Sequence, residues 1–319
     1  MSVLVCFHDR CFDGLGSAAV FTRFYRQCID PAADFRYHGL VHRAGQLFDA
    51  GLFDGQENAI VDFKYSSSDR LTWWFDHHQS AFLSEADAEH FRRDRSGRKF
   101  CDPDYRSCTK FIVETCRRRF GFTAPELDEL VHWADLIDGA QYPDTKTAVE
   151  LREPATQLTL VIEGTSDPQF SVRLIPELIS RPLGEIMQMA EVRETFDRLY
   201  ARHLETIEVI RARGQLERGV LFLDLADQNF EGFNKFIPYH LFPGAVYSVA
   251  LSRSAVRIKI GVGSNPWNPT PKTANLARIC ERYGGGGHAK VAAISLPPAD
   301  FDHAQKIAGE IVAELRAGL

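Results

Sequence analysis

Seven residues of this chain are of types that bind divalent cations, and most of them stand where an apolar run stops. His8 and Asp13 follow the run at 3–7, Asp62 follows Ala59-Ile60-Val61, and Asp76, His77 and His78 close the run at 71–75. Asp135 lies in a helical stretch further on. Imidazole plus several carboxylates, without a thiolate pattern, suits Mn²⁺, Mg²⁺ or Fe²⁺ better than structural zinc. Two such ions about 4 Å apart clamp a phosphate, polarise it and lower the pKa of a bridging water, which is what phosphoester hydrolysis requires. Neighbours on an extended strand point opposite ways, but His77 and His78 lie just past the strand end, so one ring can face metal while Asp76 orients a ring from behind. Asp135 and Asp138 are three residues apart and share a helix face, so either can supply a ligand.

A second constellation is the run Gly284-Gly285-Gly286-Gly287-His288. Four successive glycines cost a fold entropy and are tolerated where backbone approaches something closely or takes positive φ. Exposed N–H groups there would cradle an anion, with His288 as a further donor. Arg253, between Ser252 and Ser254, has the fork geometry of a phosphate clamp.

The elements that must position these residues read as α/β. A strand at 3–7, a helix over 14–26 and strands at 59–61 and 71–75 each deliver polar residues at the strand's carboxyl end, where open parallel sheets place their ligand crevice. Helices are expected over 108–120 and 126–138, and an almost uninterrupted one over 183–213. Beyond it come strands at 220–223, 246–251 and 256–260, a loop over 261–271, a helix over 275–283 and a final strand at 291–296. With 319 residues, two domains sharing one cleft are expected: a mostly parallel domain over 1–182, a helical connector over 183–214 and a smaller mixed α/β domain over 215–319. The net charge of −6 argues against long duplex nucleic acid as a partner. Seven cysteines without a CxxC pair argue against a disulfide framework and fit a reducing cytoplasm. No run resembles a signal peptide or a membrane span.

In these motifs the chain resembles the DHH phosphoesterase superfamily with a DHHA1 C-terminal domain. The resemblance rests on Phe75-Asp76-His77-His78, on the segment 8–17 with His8, Cys11 and Asp13-Gly14, on Val61-Asp62-Phe63, on Ala134-Asp135-Leu136, and on Ser252-Arg253-Ser254 with the glycine run, all in family order. The first motif is most similar to the branch of small oligoribonucleases and cyclic-nucleotide phosphodiesterases. The resemblance implies Mn²⁺, as two ions or one, with Mg²⁺ or Fe²⁺ as alternatives. His8, Asp13, Asp62, His77 and Asp135 would be the metal ligands, Asp62 bridging. Asp76 would support them, His78 would face the scissile phosphate, and Arg253, Gly285, Gly286, Gly287 and His288 would hold the substrate. The implied substrate is a small nucleotide or short oligonucleotide, cut in either polarity, and a homodimer is left open.

Two features depart from the family pattern. Many relatives carry two aspartates spaced D-x-D in the first motif; here Asp13 aligns with the second, and the first falls at or near Cys11, with Asp9 a substitute only if the loop turns differently. Residues 64–70 are also short for a parallel crossover, which normally takes about a dozen residues or more. The competing reading is a nucleotide-binding sensor whose degraded metal site turns nothing over.

Overall fold

The first strand, β1 (Ser2–His8), is apolar and buried from Val3 to Phe7, as a central parallel strand covered on both faces must be. In a computed structural model, which describes residues 1–41, 48–165, 167–228 and 232–319, the chain forms two units. The first comprises Met1–Tyr142 with Arg152–Leu199, the second Pro143–Leu151 with Tyr200–Leu319.

In the first unit β1 is joined by β2 (Asp34–Leu40), β3 (Glu57–Val61), β4 (Trp73–Asp76) and β5 (Lys99–Cys101) in the order β2-β1-β3-β4-β5, every pair parallel. Phe7 pairs with Val61 and Val61 with Phe75. The next residue of each strand, His8, Asp62 and Asp76, therefore falls in one row at the carboxyl edge. The connection 62–72 has no helix, yet β3 and β4 stay parallel; Phe63, Tyr65 and Leu71 are buried under it, doing what a crossover helix's apolar face would do. The Trp74 indole donates to the Phe63 carbonyl at 2.9 Å and fixes that loop.

The unit's helices are α1 (Phe12–Cys28), α2 (Glu85–Arg93), α3 (Cys108–Phe120), α4 (Asp128–Asp138), then, after α5 (Thr145–Val149) in the second unit, α6 (Pro154–Gly164), α7 (Phe170–Ser180), α8 (Leu183–Ile186) and the start of α9 (Ala190–Arg213). Helix α1 packs against α3, α4 and α7. Its first turn sits so close on the end of β1 that a Cβ at Gly14 would lie 2.0 Å from the His8 carbonyl oxygen, and this contact sets Asp13 at the carboxyl edge of the sheet. The helix expected over 183–213 is broken at 187–189: Leu183, Ile186 and Met187 turn inward and are buried, and the chain re-enters helix with Val192 and Phe196 buried.

The second unit is a mixed six-stranded sheet in the order β10-β11-β9-β8-β7-β6, with β6 (Gln215–Glu217), β7 (Val220–Leu225), β8 (Tyr247–Arg253), β9 (Ile258–Ser264), β10 (Gly286–His288) and β11 (Val291–Leu296). Only β7 and β8 are parallel. Helices α11 (Leu276–Glu281) and α12 (Phe301–Ala317) bury one face through Val249, Leu251, Ile260, Ile294, Ile307 and Ile311. Residues 261–264, expected in a loop, continue β9: Val262 points into that core and the glycines beside it occupy the other face. Segment Pro143–Leu151 docks on α10 (Ile237–Leu241); the Ala148 carbonyl accepts from Asn234 Nδ2 at 2.7 Å, and the Val149 carbonyl from buried His203 Nε2 at 2.8 Å. No helix among the described residues is long and apolar enough to cross a membrane.

Candidate metal centre

The row at the carboxyl edge of the first sheet is extended by α1, which brings Asp13, and by the last residue of α4, Asp138. His77 is its hub. The Tyr105 carbonyl lies 3.0 Å from His77 Nδ1 and takes that nitrogen's proton as a hydrogen bond, so Nε2 carries the ring's free lone pair. That Nε2 lies 3.3 Å from Asp62 Oδ1, 3.5 Å from Asp138 Oδ2 and 3.7 Å from Asp13 Oδ2. His77 Nε2 and Asp62 Oδ1 are both buried without a hydrogen-bond partner. A lone pair facing three carboxylate oxygens is repulsive unless a cation lies between them or the ring is protonated.

Each member is held from behind. Asp13 accepts from the backbone N–H of Cys108 at 2.6 Å and of Thr109 at 3.0 Å, at the start of α3, where the helix dipole favours an anion. Asp62 follows β3 with φ +56°, and its N–H donates to the Phe75 carbonyl. This left-handed conformation turns its carboxylate to His8 Nδ1 at 3.3 Å. Asp76, the last residue of β4, holds His78 Nδ1 at 2.7 Å.

The protonation pattern is that of crowded anions. Desolvation, then Asp62 and Asp138, holds Asp13 well above the ordinary carboxylate range. Desolvation and Asp62 push Asp138 up to about 6. Burial opposes the charge on Asp62, yet His77 and His8 beside it keep its carboxyl below the usual range. Burial likewise opposes a charged His77, but Asp62 and Asp13 raise it to about 10. Burial, then the neighbouring aspartates, holds the Cys11 thiol well above its usual value. Three sets of donor atoms lie within 4.8 Å of one another: His8, Cys11 and Asp62; Asp62, His77 and His78; Asp13, His77 and Asp138. Orphaned buried donors, N and O ligand types and a backbone-oriented histidine fit divalent cations.

The second unit separates residues that the motifs had grouped. Arg253 pairs with Ile258, whereas His288 pairs with Val291 and Val291 with Gly263, five residues along β9 from Ile258. Five residues at about 3.3 Å and three strand spacings of about 4.8 Å lie between them, so Arg253 and the glycine run do not form one cradle. The Arg253 guanidinium donates to the Pro298 carbonyl and stacks on Phe301. Nor are all the glycine N–H groups free for an anion: those of Gly284 and Gly285 donate to the Glu281 and Cys280 carbonyls at the end of α11.

No protein-family model matches the chain, and no curated protein matches it by sequence. Its structure does match solved ones. A pGpG-specific phosphodiesterase, PggH from Vibrio cholerae, is 20% identical with TM-score 0.69, covering 99% of both chains. A DHH-domain member of the s1p family of ribosomal proteins is 13% identical with TM-score 0.57, covering 98% of this chain and 86% of the other. RecJ from Thermus thermophilus in complex with Mn²⁺ is 11% identical with TM-score 0.55; the chain spans 52% of its length. The chain has the DHH-domain fold.

Within that DHH fold, His8, Asp13, Asp62 and His77 are brought together, with Asp76 and His78 beside them. Asp135 does not join: its Oδ2 is ion-paired with Lys110 Nζ at 2.8 Å, and Asp138, one turn on, enters the cluster instead. Asp9 is not among the grouped donors; its Oδ1 accepts from Ser171 Oγ and the Arg10 N–H. The Tyr105 carbonyl and the α3 amides carry no side-chain signature and were not foreseeable from residue type.

Two glycines of the run differ in a way that can be measured. Gly287 has φ +146°, and a Cβ there would lie 2.5 Å from the Val291 carbonyl oxygen, so the fold itself demands glycine. Gly286 has neither constraint, and a Cβ on it meets nothing within 4 Å; in register with it on the same face lie Ala293, Gly261 and Ala250, a row of small residues. Gly287→Ala is expected to lose about 1–3 kcal/mol in chemical denaturation. Gly286→Val should keep wild-type stability while raising KM for a nucleotide substrate about tenfold or more. An unchanged KM in a folded Gly286→Val protein would remove this face from the binding site.

Proposed function

We propose that this chain is a metal-dependent phosphodiesterase acting on small nucleotides, with dinucleotides and short oligonucleotides as the substrate class. The observation that carries the reading is His77 Nε2, fixed by the Tyr105 carbonyl and aimed among Asp13, Asp62 and Asp138. Mn²⁺, as two ions, is the proposed metal, with His8, Asp13, Asp62, His77 and Asp138 as ligands. The names of the structural neighbours, a pGpG-specific phosphodiesterase and RecJ bound to Mn²⁺, support this assignment.

Divalent ions at such a site polarise a phosphoryl oxygen and make a water nucleophilic near neutral pH. The chain's own groups do the remaining work. Asp76 fixes His78 through Nδ1, leaving Nε2 to meet a phosphate oxygen. Burial opposes the His78 charge, but Asp76 and Asp62 raise its pKa, which favours the charged ring beside an anionic oxygen. Within the second unit the face at Gly286, with His288, is the proposed nucleotide-binding surface; Arg253, whose guanidinium donates to the Pro298 carbonyl, is not part of this assignment. The seven free cysteines suit a reducing cytoplasm.

The test is turnover by Mn²⁺-supplemented protein on pGpG, other linear and cyclic dinucleotides, pAp, cyclic AMP and labelled tri- to heptanucleotides. Hydrolysis of at least one linear dinucleotide, abolished by chelation, is expected. Tight nucleotide binding with no turnover on any of them would replace the enzyme with a sensor.

A further inference from the structure

Cys11 occupies the N-cap of α1, yet its side chain makes no capping hydrogen bond. Cysteine is not among the residues that cap helices well, where Ser, Asp or Asn would serve, so starting the helix does not explain the residue. Its Sγ lies within 4.8 Å of a ring nitrogen of His8 and a carboxylate oxygen of Asp62. Asp62 is 1% exposed, and its Oδ1 has no hydrogen-bond partner. The loop's other carboxylate, Asp9, is held by Ser171 and the Arg10 N–H. Among the described residues, sulfur is therefore the third donor grouped with His8 and Asp62.

We propose that Cys11 is a metal ligand, its thiolate completing an N,S,O set with His8 and Asp62 beside the N,O,O set of Asp13, His77 and Asp138. This rests on the metal centre proposed above and adds an inequality between its two halves. Binding replaces the S–H bond by a metal–sulfur bond and releases the thiol proton to solvent. Thiolate favours Zn²⁺, Co²⁺ or Fe²⁺, whereas carboxylate-rich sets suit Mn²⁺ and Mg²⁺. The half containing Cys11 therefore prefers the softer ions, and the other half the harder.

Co²⁺ added alone to the chelator-stripped full chain tests this by absorption, independently of activity. The wild type should show a near-ultraviolet thiolate-to-cobalt charge-transfer band together with visible d–d absorption. Cys11→Ser should lose the charge-transfer band and keep d–d absorption from the other half. Cys11→Asp should also lack the band and favour Mn²⁺ over Co²⁺ by at least about tenfold more than wild type; it decides the matter if Cys11→Ser does not fold, as checked by circular dichroism. A wild-type d–d spectrum without the band overturns the proposal, as does a band that survives in Cys11→Ser and so comes from another thiol such as Cys108. Absence of any cobalt absorption in wild type rejects the metal centre itself, a different failure from loss of the sulfur ligand alone.

Discussion

Asp62→Asn is expected to lower kcat by roughly a thousandfold or more, because polarisation by metal ions is worth several kcal/mol and each ~1.4 kcal/mol is tenfold. Asparagine is the informative replacement. Asp62 sits at φ +56°, a conformation asparagine tolerates, whereas alanine adds about 1–2 kcal/mol of backbone strain. The amide keeps the shape, removes the charge shared between His8 and His77, and replaces one of the two acceptor oxygens by an N–H donor. The companion measurement is thermal stability with and without Mn²⁺. Saturation at about 100 times Kd stabilises a folded protein by ~2.7 kcal/mol, so the wild-type midpoint should rise by some degrees and that of Asp62→Asn should not. Wild-type turnover by Asp62→Asn under saturating Mn²⁺ would take Asp62 out of the centre.

Substrate length should matter almost as much. The chain carries a net charge of −6, so each phosphate beyond those held at the site meets repulsion instead of a basic track. Going from a dinucleotide to a strand of about 30 nucleotides should cost kcat/KM at least about tenfold. The salt dependence should be shallow, since the logarithmic slope for single strands is about −0.7 per phosphate contact and few contacts are made. Efficient digestion of the long strand with a steep salt dependence would reveal a cationic channel that net charge conceals.

The residues at the ends of β1, β3 and β4 were legible in the sequence for a physical reason. A central parallel strand is an unbroken apolar run, so its last polar residue is conspicuous, and register alone then aligns His8, Asp62 and Asp76. Asp135 and Asp138 could not be separated on those grounds, because both lie on one helix and the choice is made by Lys110 on a different one. Arg253 and the glycine run looked like partners because both carry phosphate-binding chemistry, but sheet register decides proximity and sets them at opposite ends. Gly261 and Gly263 read as loop because glycine is a poor strand former, yet the buried side chain of Val262 between them holds β9 in the sheet.

The excursion of Pro143–Leu151 into the second unit has a bearing on how the protein is made. Ala148 and Val149, 2% and 1% exposed in the finished fold, leave the ribosome long before the strands of their own unit. At about 5–20 residues per second, the 54 residues from Val149 to His203 take roughly 3–11 seconds and the 86 from Ala148 to Asn234 roughly 4–17 seconds. During that time the Val149 carbonyl awaits His203, the Ala148 carbonyl awaits Asn234, and two apolar side chains stay open to chaperones or to other nascent chains. Expression of residues 200–319 alone would invert the problem, leaving buried His203 without its acceptor. Neither unit is a segment that can be cut out in one piece, and the yield of active protein should respond to translation speed between residues 151 and 203.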